Sequence, residues 1–165
     1  MRVLVGYMSQ TGNTKKVAEA IFGEIEGEKE IRKLSQIKDM EGYDLVFLGF
    51  PIRGFGPDKK AKKFLETQCQ GKKIALFITH AAPEDHEDLP GWLVKFKNAA
   101  AGATVVDMFN CQGQLAKLIK LVMSIYPDSR LRPWAKMDNS KGQPDAARLE
   151  KARVFAREVI KKFSS

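Results

Sequence analysis

The sequence predicts an α/β fold in which a parallel β-sheet is covered by helices on both faces. Short apolar runs alternate with stretches of helical periodicity along the 165 residues, which is the pattern of successive strand–helix–strand units. Residues 43–50, YDLVFLGF, form the continuous apolar run expected of a central strand buried on both faces. Residues 3–21, VLVGYMSQTGNTKKVAEAI, begin as a buried strand, continue as a turn rich in hydroxyls, and end as an amphipathic helix.

The turn in this first unit, Ser9 to Thr14, has the composition of an anion-binding loop. Gly12 can adopt a positive φ and allows a ligand to approach the backbone closely. Amides at the start of the following helix, together with the three hydroxyls of the turn, can donate hydrogen bonds to a phosphate. The alternative is an ordinary strand–turn–helix in which Ser and Thr serve only as caps.

The next elements are predicted by periodicity and by turn residues. The first helix, with an apolar stripe at Val17, Ile21 and Ile25, is expected to end at Gly27, and a weakly specified strand follows over about residues 29–33. The loop after the central strand, PIRGFGP at residues 51–57, contains too much Gly and Pro for regular structure. Asp58 can then cap a second helix, whose inward face comprises Ala61, Phe64 and Leu65.

The second half of the chain continues the alternation. Strands are predicted at residues 74–79 and 104–109, separated by a polar loop at 80–90 and a helix with Trp92, Leu93 and Phe96 on one face. Asn110 to Gly113 are expected to follow the last strand as a loop. A fourth helix is predicted over about residues 115–125, and Tyr126 to Pro144 as a long excursion over the surface. The final helix places one apolar face inward, formed by Leu149, Ala152, Phe155, Val159 and Phe163.

Composition limits the classes of protein. The length suits one domain over residues 1–165, with no internal repeat or linker. No signal peptide and no apolar segment near 20 residues are evident, so no membrane span and a cytoplasmic location are expected. Cys69 and Cys111 are expected to be free thiols. A net charge of +8 favours acidic partners, and nucleic acid is not expected because no nucleic-acid motif accompanies the lysines.

The first unit resembles the signature of the flavodoxin family. It matches every defined position of the pattern Tyr7-x-Ser9-x-x-Gly12-x-Thr14-x-x-x-Ala18-x-x-Ile21. In that family this loop wraps the phosphate of flavin mononucleotide (FMN). The resemblance implies a flavodoxin-like three-layer sandwich around a five-stranded parallel sheet in the order 2-1-3-4-5, with the ligand at the carboxyl ends of the strands. Flavodoxins are typically acidic, so the net charge of +8 is a departure.

The resemblance also implies that FMN is the cofactor and that four loops hold it. The expected cofactor-binding residues are Ser9, Gln10, Thr11, Gly12, Asn13, Thr14, Pro51, Ile52, Arg53, Gly54, Phe55, Gly56, Thr79, His80, Ala81, Ala82, Cys111, Gln112 and Gly113. No catalytic residue is assigned, because a flavin performs the electron chemistry itself. No metal ligand is assigned either, since His86 lies in a run, EDHED, that is interpreted as a solvated acidic loop.

Four residues of this set have alternative interpretations. Phe55 either covers the flavin ring or packs its own loop. Arg53 either lies near the flavin N1 and O2 atoms, where its charge would raise the reduction potential, or is an exposed loop cation. His80 either hydrogen-bonds the flavin or a substrate, or is structural. Cys111 is either a redox thiol bordering the ring or a small buried residue.

Three functions are compatible with this sequence. The first is an FMN-binding electron-transfer flavoprotein that passes electrons between redox partner proteins, with a partner expected to present an acidic docking face. The second is an FMN-dependent reductase of a small organic acceptor, quinone-like or otherwise conjugated. The third is a flavin-free interaction protein, against which the intact first loop argues. One short domain without an evident nicotinamide site favours an electron carrier over a stand-alone oxidoreductase.

Overall fold

The predicted strands form one parallel sheet in a computed structural model of the chain, which describes residues 1–125 and 139–164. The strands are β1 (Arg2–Tyr7), β2 (Glu28–Lys33), β3 (Leu45–Pro51), β4 (Lys73–His80) and β5 (Thr104–Gln112). Neighbouring strands are parallel throughout, in the order β2-β1-β3-β4-β5. The predicted order is therefore confirmed, and it places a topological switch point beside β1.

Five α-helices lie within the described residues, and four of them cover the two faces of the sheet. The helices are α1 (Asn13–Glu24), α2 (Lys59–Gln68), α3 (Leu89–Ala99), α4 (Lys117–Ile125) and α5 (Ala146–Ser164). Val5 belongs to one buried cluster with Ile21 of α1 and Val159 of α5. Its neighbour Leu4 belongs to the other, with Phe96 of α3. Successive side chains of β1 thus pack into different apolar layers, because they point to opposite faces of the pleated sheet.

The helices use the faces that their periodicity predicts. In α2, Ala61 and Leu65 are buried and Phe64 packs partly against the core. In α3, Leu93 and Phe96 are buried while Trp92 is only half-buried. The predicted inward face of α5 is confirmed by three buried residues and two packed at the edge of the same cluster: Ala152, Phe155, Val159, Leu149 and Phe163.

Several local boundaries differ from the prediction. Asn110, Cys111 and Gln112 belong to β5 and not to a loop, because the pairing with β4 continues as far as His80 opposite Gln112. Gly27 lies beyond the end of α1, with φ of 81°. Positions 126–138 of the predicted excursion Tyr126 to Pro144 lie outside the described residues. Positions 139–144 form turns beside the end of β5.

The fourth helix, α4, differs from the others because it buries none of its residues. Its apolar side chains are largely exposed, with Leu118 at 71% and Ile125 at 69% of their full accessibility. In the two described ranges, no helix combines the length and the apolar character needed to cross a membrane.

Candidate functional site

A cleft opens at the carboxyl edge of the sheet, where β1, β3 and β4 end. It is lined by Gln10, Thr11, Asn13, Thr14, Pro51, Ile52, Arg53, Thr79, His80, Ala81, Gln114, Leu115, Ala116 and Ile119. Every lining residue from Gln10 to Ala81 belongs to the set of cofactor-binding residues expected from the sequence. Open α/β sheets bind their ligands at this position, beside the switch point.

The loop between β1 and α1 has the backbone geometry of an anion site. Gly12 precedes α1 with φ of 91°, a left-handed conformation that favours glycine. A Cβ atom at Gly12 would meet nothing within 4 Å, so the space above it is open. The Gly12 amide donates to Ser9 Oγ at 3.1 Å, whereas the amides of Thr11, Asn13 and Thr14 have no acceptor among the described residues. These unpaired donors at a helix start fit a phosphate group.

Two of the three hydroxyls in this loop already contact protein atoms. Ser9 Oγ accepts the Gly12 amide, and its own hydrogen stays available. Thr14 Oγ1 lies 2.8 Å from Thr79 Oγ1, and both residues are buried. One hydroxyl of this pair donates to the other, so the pair keeps a second hydrogen for a ligand. The donor set therefore remains compatible with a phosphate despite these internal contacts.

Asn13 connects the loop after β1 to the segment after β5. Its Nδ2 atom donates to the Gln114 carbonyl at 2.8 Å. Gly113 lies directly against it, since a Cβ atom at Gly113 would be 2.8 Å from Cγ of Asn13. The close approach explains a glycine here, because a side chain would displace Asn13 from its hydrogen bond.

His80 is buried at the end of β4, and both ring nitrogens are engaged. Nδ1 lies 2.9 Å from the Ala82 carbonyl, and Nε2 lies 3.0 Å from Oδ1 of Asn110. Burial lowers the pKa of His80 below its ordinary value, so the ring is neutral at pH 7 and donates from Nδ1 only. Nε2 is then an acceptor and needs a donor. A 180° rotation of the Asn110 side-chain amide exchanges its oxygen and nitrogen and places the NH₂ group opposite Nε2. These contacts favour the structural interpretation of His80.

Arg53 lines the cleft, but its charge is partly balanced. Its Nη1 atom lies 3.1 Å from Oδ2 of Asp58. The other oxygen of Asp58 accepts the Ala61 amide at 2.8 Å and so caps α2 as the sequence predicts. One carboxylate therefore fixes both the start of α2 and the guanidinium at the rim of the cleft.

Phe55, with Gly54 and Gly56, lies away from the cleft. These residues line a separate cavity with Lys95 of α3. The Phe55 ring is 55% exposed and its centroid is 5.2 Å from that of Trp92. Both Gly54 and Phe55 have positive φ, 59° and 65°, which is unusual for a residue with a side chain. In the structure Phe55 thus packs outside its own loop, on Trp92 of α3.

Three further predicted residues do not line the cleft but contact or pair with residues that do. Ala82, Cys111 and Gln112 are buried. Burial raises the pKa of the Cys111 thiol to about 12, so it is protonated at neutral pH and is suited to packing, not to redox chemistry. Gln112 Nε2 donates to the Ala81 carbonyl at 3.1 Å and to Oδ1 of Asn139 at 2.7 Å.

The sequence reasoning missed the far wall of the cleft, which is formed by Gln114, Leu115, Ala116 and Ile119. Ser140 holds this wall, because its Oγ atom accepts the Leu115 amide at 2.8 Å. One signal was available, since these residues directly follow the predicted loop at the end of β5. Their role depends on the return of the chain at residues 139–144, which no local pattern indicates.

The sheet order and the loop after β1 define a protein of the flavodoxin fold. The chain belongs to the flavodoxin domain family, whose model matches residues 4–157. It is 33% identical over 175 aligned positions to the flavodoxin-like domain-containing protein BilS of Clostridioides difficile, covering 99% of each chain.

Solved structures agree on the fold. Flavodoxin 2 from Bacillus cereus has a TM-score of 0.65 and 21% identity, covering 98% of this chain and 99% of that one. A flavoprotein from Lactobacillus acidophilus, solved in complex with FMN, has a TM-score of 0.51 and 22% identity, covering 66% of this chain and 92% of that one. The resemblance seen in the first unit is therefore confirmed for the chain as a whole.

Proposed function

We propose that this chain binds FMN in the cleft and acts as an electron-transfer flavoprotein between redox partner proteins. The observation that supports FMN most strongly is the loop after β1, with open space above Gly12 and unpaired amides at Thr11, Asn13 and Thr14. The similarity to a flavoprotein known in complex with FMN supports the same assignment.

The lining residues divide by chemistry. Amides and hydroxyls of residues 10–14 would hold the phosphate, because they offer several donors and no carboxylate. The segments 51–53 and 79–81 would hold the ring, with apolar contact from Leu115, Ala116 and Ile119. FMN, when bound, supplies the one- and two-electron chemistry. The chain contributes binding, orientation and access.

An electron carrier is favoured because the cleft offers little acid–base chemistry of its own. Both ring nitrogens of His80 are engaged, and the Cys111 thiol is buried and protonated. The net charge of +8 fits a partner with an acidic docking face, and association would slow as salt rises. A cytoplasmic location, expected from the sequence, belongs to the same proposal.

A reductase of a small conjugated acceptor is the second candidate. One observation favours it: Phe55 packs on Trp92 away from the cleft, and no aromatic residue lines the described part of the cleft, so an apolar acceptor has space beside Ile119. Oxidation of NAD(P)H by the purified, FMN-loaded protein without a partner would favour this alternative.

Calorimetric titration of flavin-free protein with FMN tests the binding proposal. We expect saturation at one FMN per chain, and riboflavin, which lacks the phosphate, to bind at least about tenfold more weakly. Gly12→Ala should lower the affinity for FMN because the positive φ of this residue disfavours a side chain. Gly23→Ala in α1, where a Cβ atom meets nothing, is the matched control. Absence of saturable FMN uptake by folded protein would overturn the proposal.

Electron transfer is then tested by reducing the FMN-loaded protein in steps and monitoring its absorption spectrum. We expect the electrons to pass on to an acidic redox protein such as a ferredoxin at a rate that falls with ionic strength. A rate that is independent of salt would argue against an acidic docking partner.

A further inference from the structure

A second cavity adjoins the cleft on the side of β2. It has a volume of about 400 Å³, which is within the range of small-molecule sites. It lies between the ends of β1 and β2 and the start of α2, and it is lined by Tyr7, Met8, Ser9, Gln10, Lys33, Leu34, Ser35, Arg53, Lys60 and Phe64. Gln10 and Arg53 line both cavities, so a ligand here would be adjacent to the candidate FMN site. We call it the β2 pocket.

Three cations and no carboxylate line the β2 pocket. Lys33 comes from the end of β2, Arg53 from the loop after β3, and Lys60 from α2. Among the described residues, Lys33 and Lys60 form no ion pair, and Arg53 pairs only with Asp58. Lys33 and Lys60 therefore bring to the pocket positive charge that no ion pair in the described part of the chain balances, which favours an anionic occupant.

The nearest acidic residue of β2 is already paired elsewhere. Glu30 contacts Arg2 at 2.8 Å and also pairs with Arg32. Its pKa is lowered, chiefly by a hydrogen bond with Tyr43 and then by Arg2. Glu30 is therefore held as a carboxylate by groups outside the pocket, and it is not a lining residue.

The floor of the β2 pocket is apolar. Leu34 is buried, and Met8 and Phe64 pack partly against the same core cluster. Ion pairs made by exposed lysines contribute little on their own, so an inorganic anion would be held weakly here. An organic body that covers Met8 and Phe64 would add burial of apolar surface to the charge attraction.

We propose that the β2 pocket binds a small organic anion, with a carboxylate, sulfonate or phosphate ester attached to an apolar body. The charged group would lie between Lys33 and Lys60, and the apolar body on Met8, Leu34 and Phe64. This site goes beyond the proposed function and does not require FMN. It places an organic anion beside the cleft as a candidate electron acceptor or effector.

Titration of the full chain, without FMN and at 0.15 M salt, with 2-naphthoate tests the proposal, with neutral 2-naphthamide as the matched probe. We expect 2-naphthoate to saturate one site and to shift the NMR amide signals of Ser9, Lys33, Leu34 and Ser35. Naphthamide and inorganic phosphate should each bind at least tenfold more weakly, because each lacks one of the two recognition elements.

In a double variant, Lys33→Gln with Lys60→Gln, the affinity for 2-naphthoate should fall at least tenfold and the affinity for naphthamide should not change. The control, Lys38→Gln with Lys63→Gln, removes the same charge from two exposed lysines that do not line the pocket. An equal loss in both variants would reduce the effect to net charge and would overturn the proposal.

Two further outcomes would also overturn it. Equal affinity for 2-naphthoate and naphthamide would show that the cations take no part. Displacement of 2-naphthoate by FMN, or amide shifts confined to residues 114–125, would place the probe in the cleft. The titrations use flavin-free protein, so a failure of FMN binding leaves this test intact.

Discussion

Asn13, at the first position of α1, donates its side-chain amide to the Gln114 carbonyl at 2.8 Å across a separation of 101 residues in the chain. This bond joins the loop that would hold the phosphate to the segment that forms the far wall of the cleft. The Asn13 side chain thus links these two walls of the candidate site directly.

Asn13→Ala should lower FMN affinity by about five- to tenfold, because one hydrogen bond contributes about 1 kcal/mol. Gly113→Ala should cause a similar loss, since its Cβ atom would displace Asn13. Because both changes break one bond, the double variant should lose little more than either single variant. Calorimetric titration with FMN measures all three, and fully additive losses would show that the bond does not couple the walls.

The buried hydroxyl pair of Thr14 and Thr79 should be sensitive to loss of one partner. Thr79→Val leaves the Thr14 hydroxyl without its partner, and we expect a loss of about 1–3 kcal/mol in the free energy of unfolding. The double variant with Thr14→Val removes both polar groups, so its loss should be smaller than the sum of the single losses. Urea unfolding of the three variants measures this coupling.

His80 should make stability depend on pH near neutrality. Its pKa is lowered in the folded state by burial, so the unfolded chain binds the proton first as pH falls through about 6.5. The contribution is fully present above that value and is lost as pH falls towards the folded pKa. The free energy of unfolding should therefore decrease as the pH falls from 7.5 to 5.5.

Urea unfolding of His80→Gln at the two pH values checks this expectation. The variant should show a smaller difference between pH 7.5 and 5.5 than the unmodified chain, whatever its absolute stability. His86→Gln, which changes the other histidine, should retain the larger difference. If His80→Gln keeps the full pH dependence, another group is responsible.

Arg53 and Asp58 should shift the reduction potential of bound FMN in opposite directions. Asp58→Asn keeps an oxygen to cap α2 but removes the negative charge, which leaves the Arg53 charge unbalanced. We expect the potential to rise by tens of millivolts in this variant and to fall by a similar amount in Arg53→Gln. Lys38→Gln serves as a control for net charge. An unchanged potential in both variants would place Arg53 outside the electrostatic environment of the flavin.

Much of the fold could be predicted because its signals are local. The apolar run at residues 43–50 predicts β3, which spans Leu45–Pro51 in the structure. The N-cap at Asp58 could be predicted because Asp is one of the few residue types that cap helices. The loop from Ser9 to Thr14 was evident because a positive φ and several donors leave a specific composition. These features depend on backbone preferences that each segment has by itself.

The rest of the site depends on contacts between distant segments. Pairing with β4 extends β5 through Gln112, although the sequence after Phe109 resembles a loop. The far wall at Leu115 is fixed by Ser140, and Phe55 is held against α3 by Trp92. No periodicity encodes such pairs, because each member is compatible with several positions until the other is in place.

The contact between Phe55 and Trp92 also gives the protein an internal optical reporter. Trp92 contacts two rings, since the centroid of His86 lies 5.1 Å and that of Phe55 5.2 Å from the centroid of the indole. Any ligand that draws the loop at residues 54–56 towards the cleft would separate Phe55 from the indole. In a Trp134→Phe variant, which removes the other tryptophan of the chain, the emission of Trp92 would then follow loop movement in real time, with no attached dye.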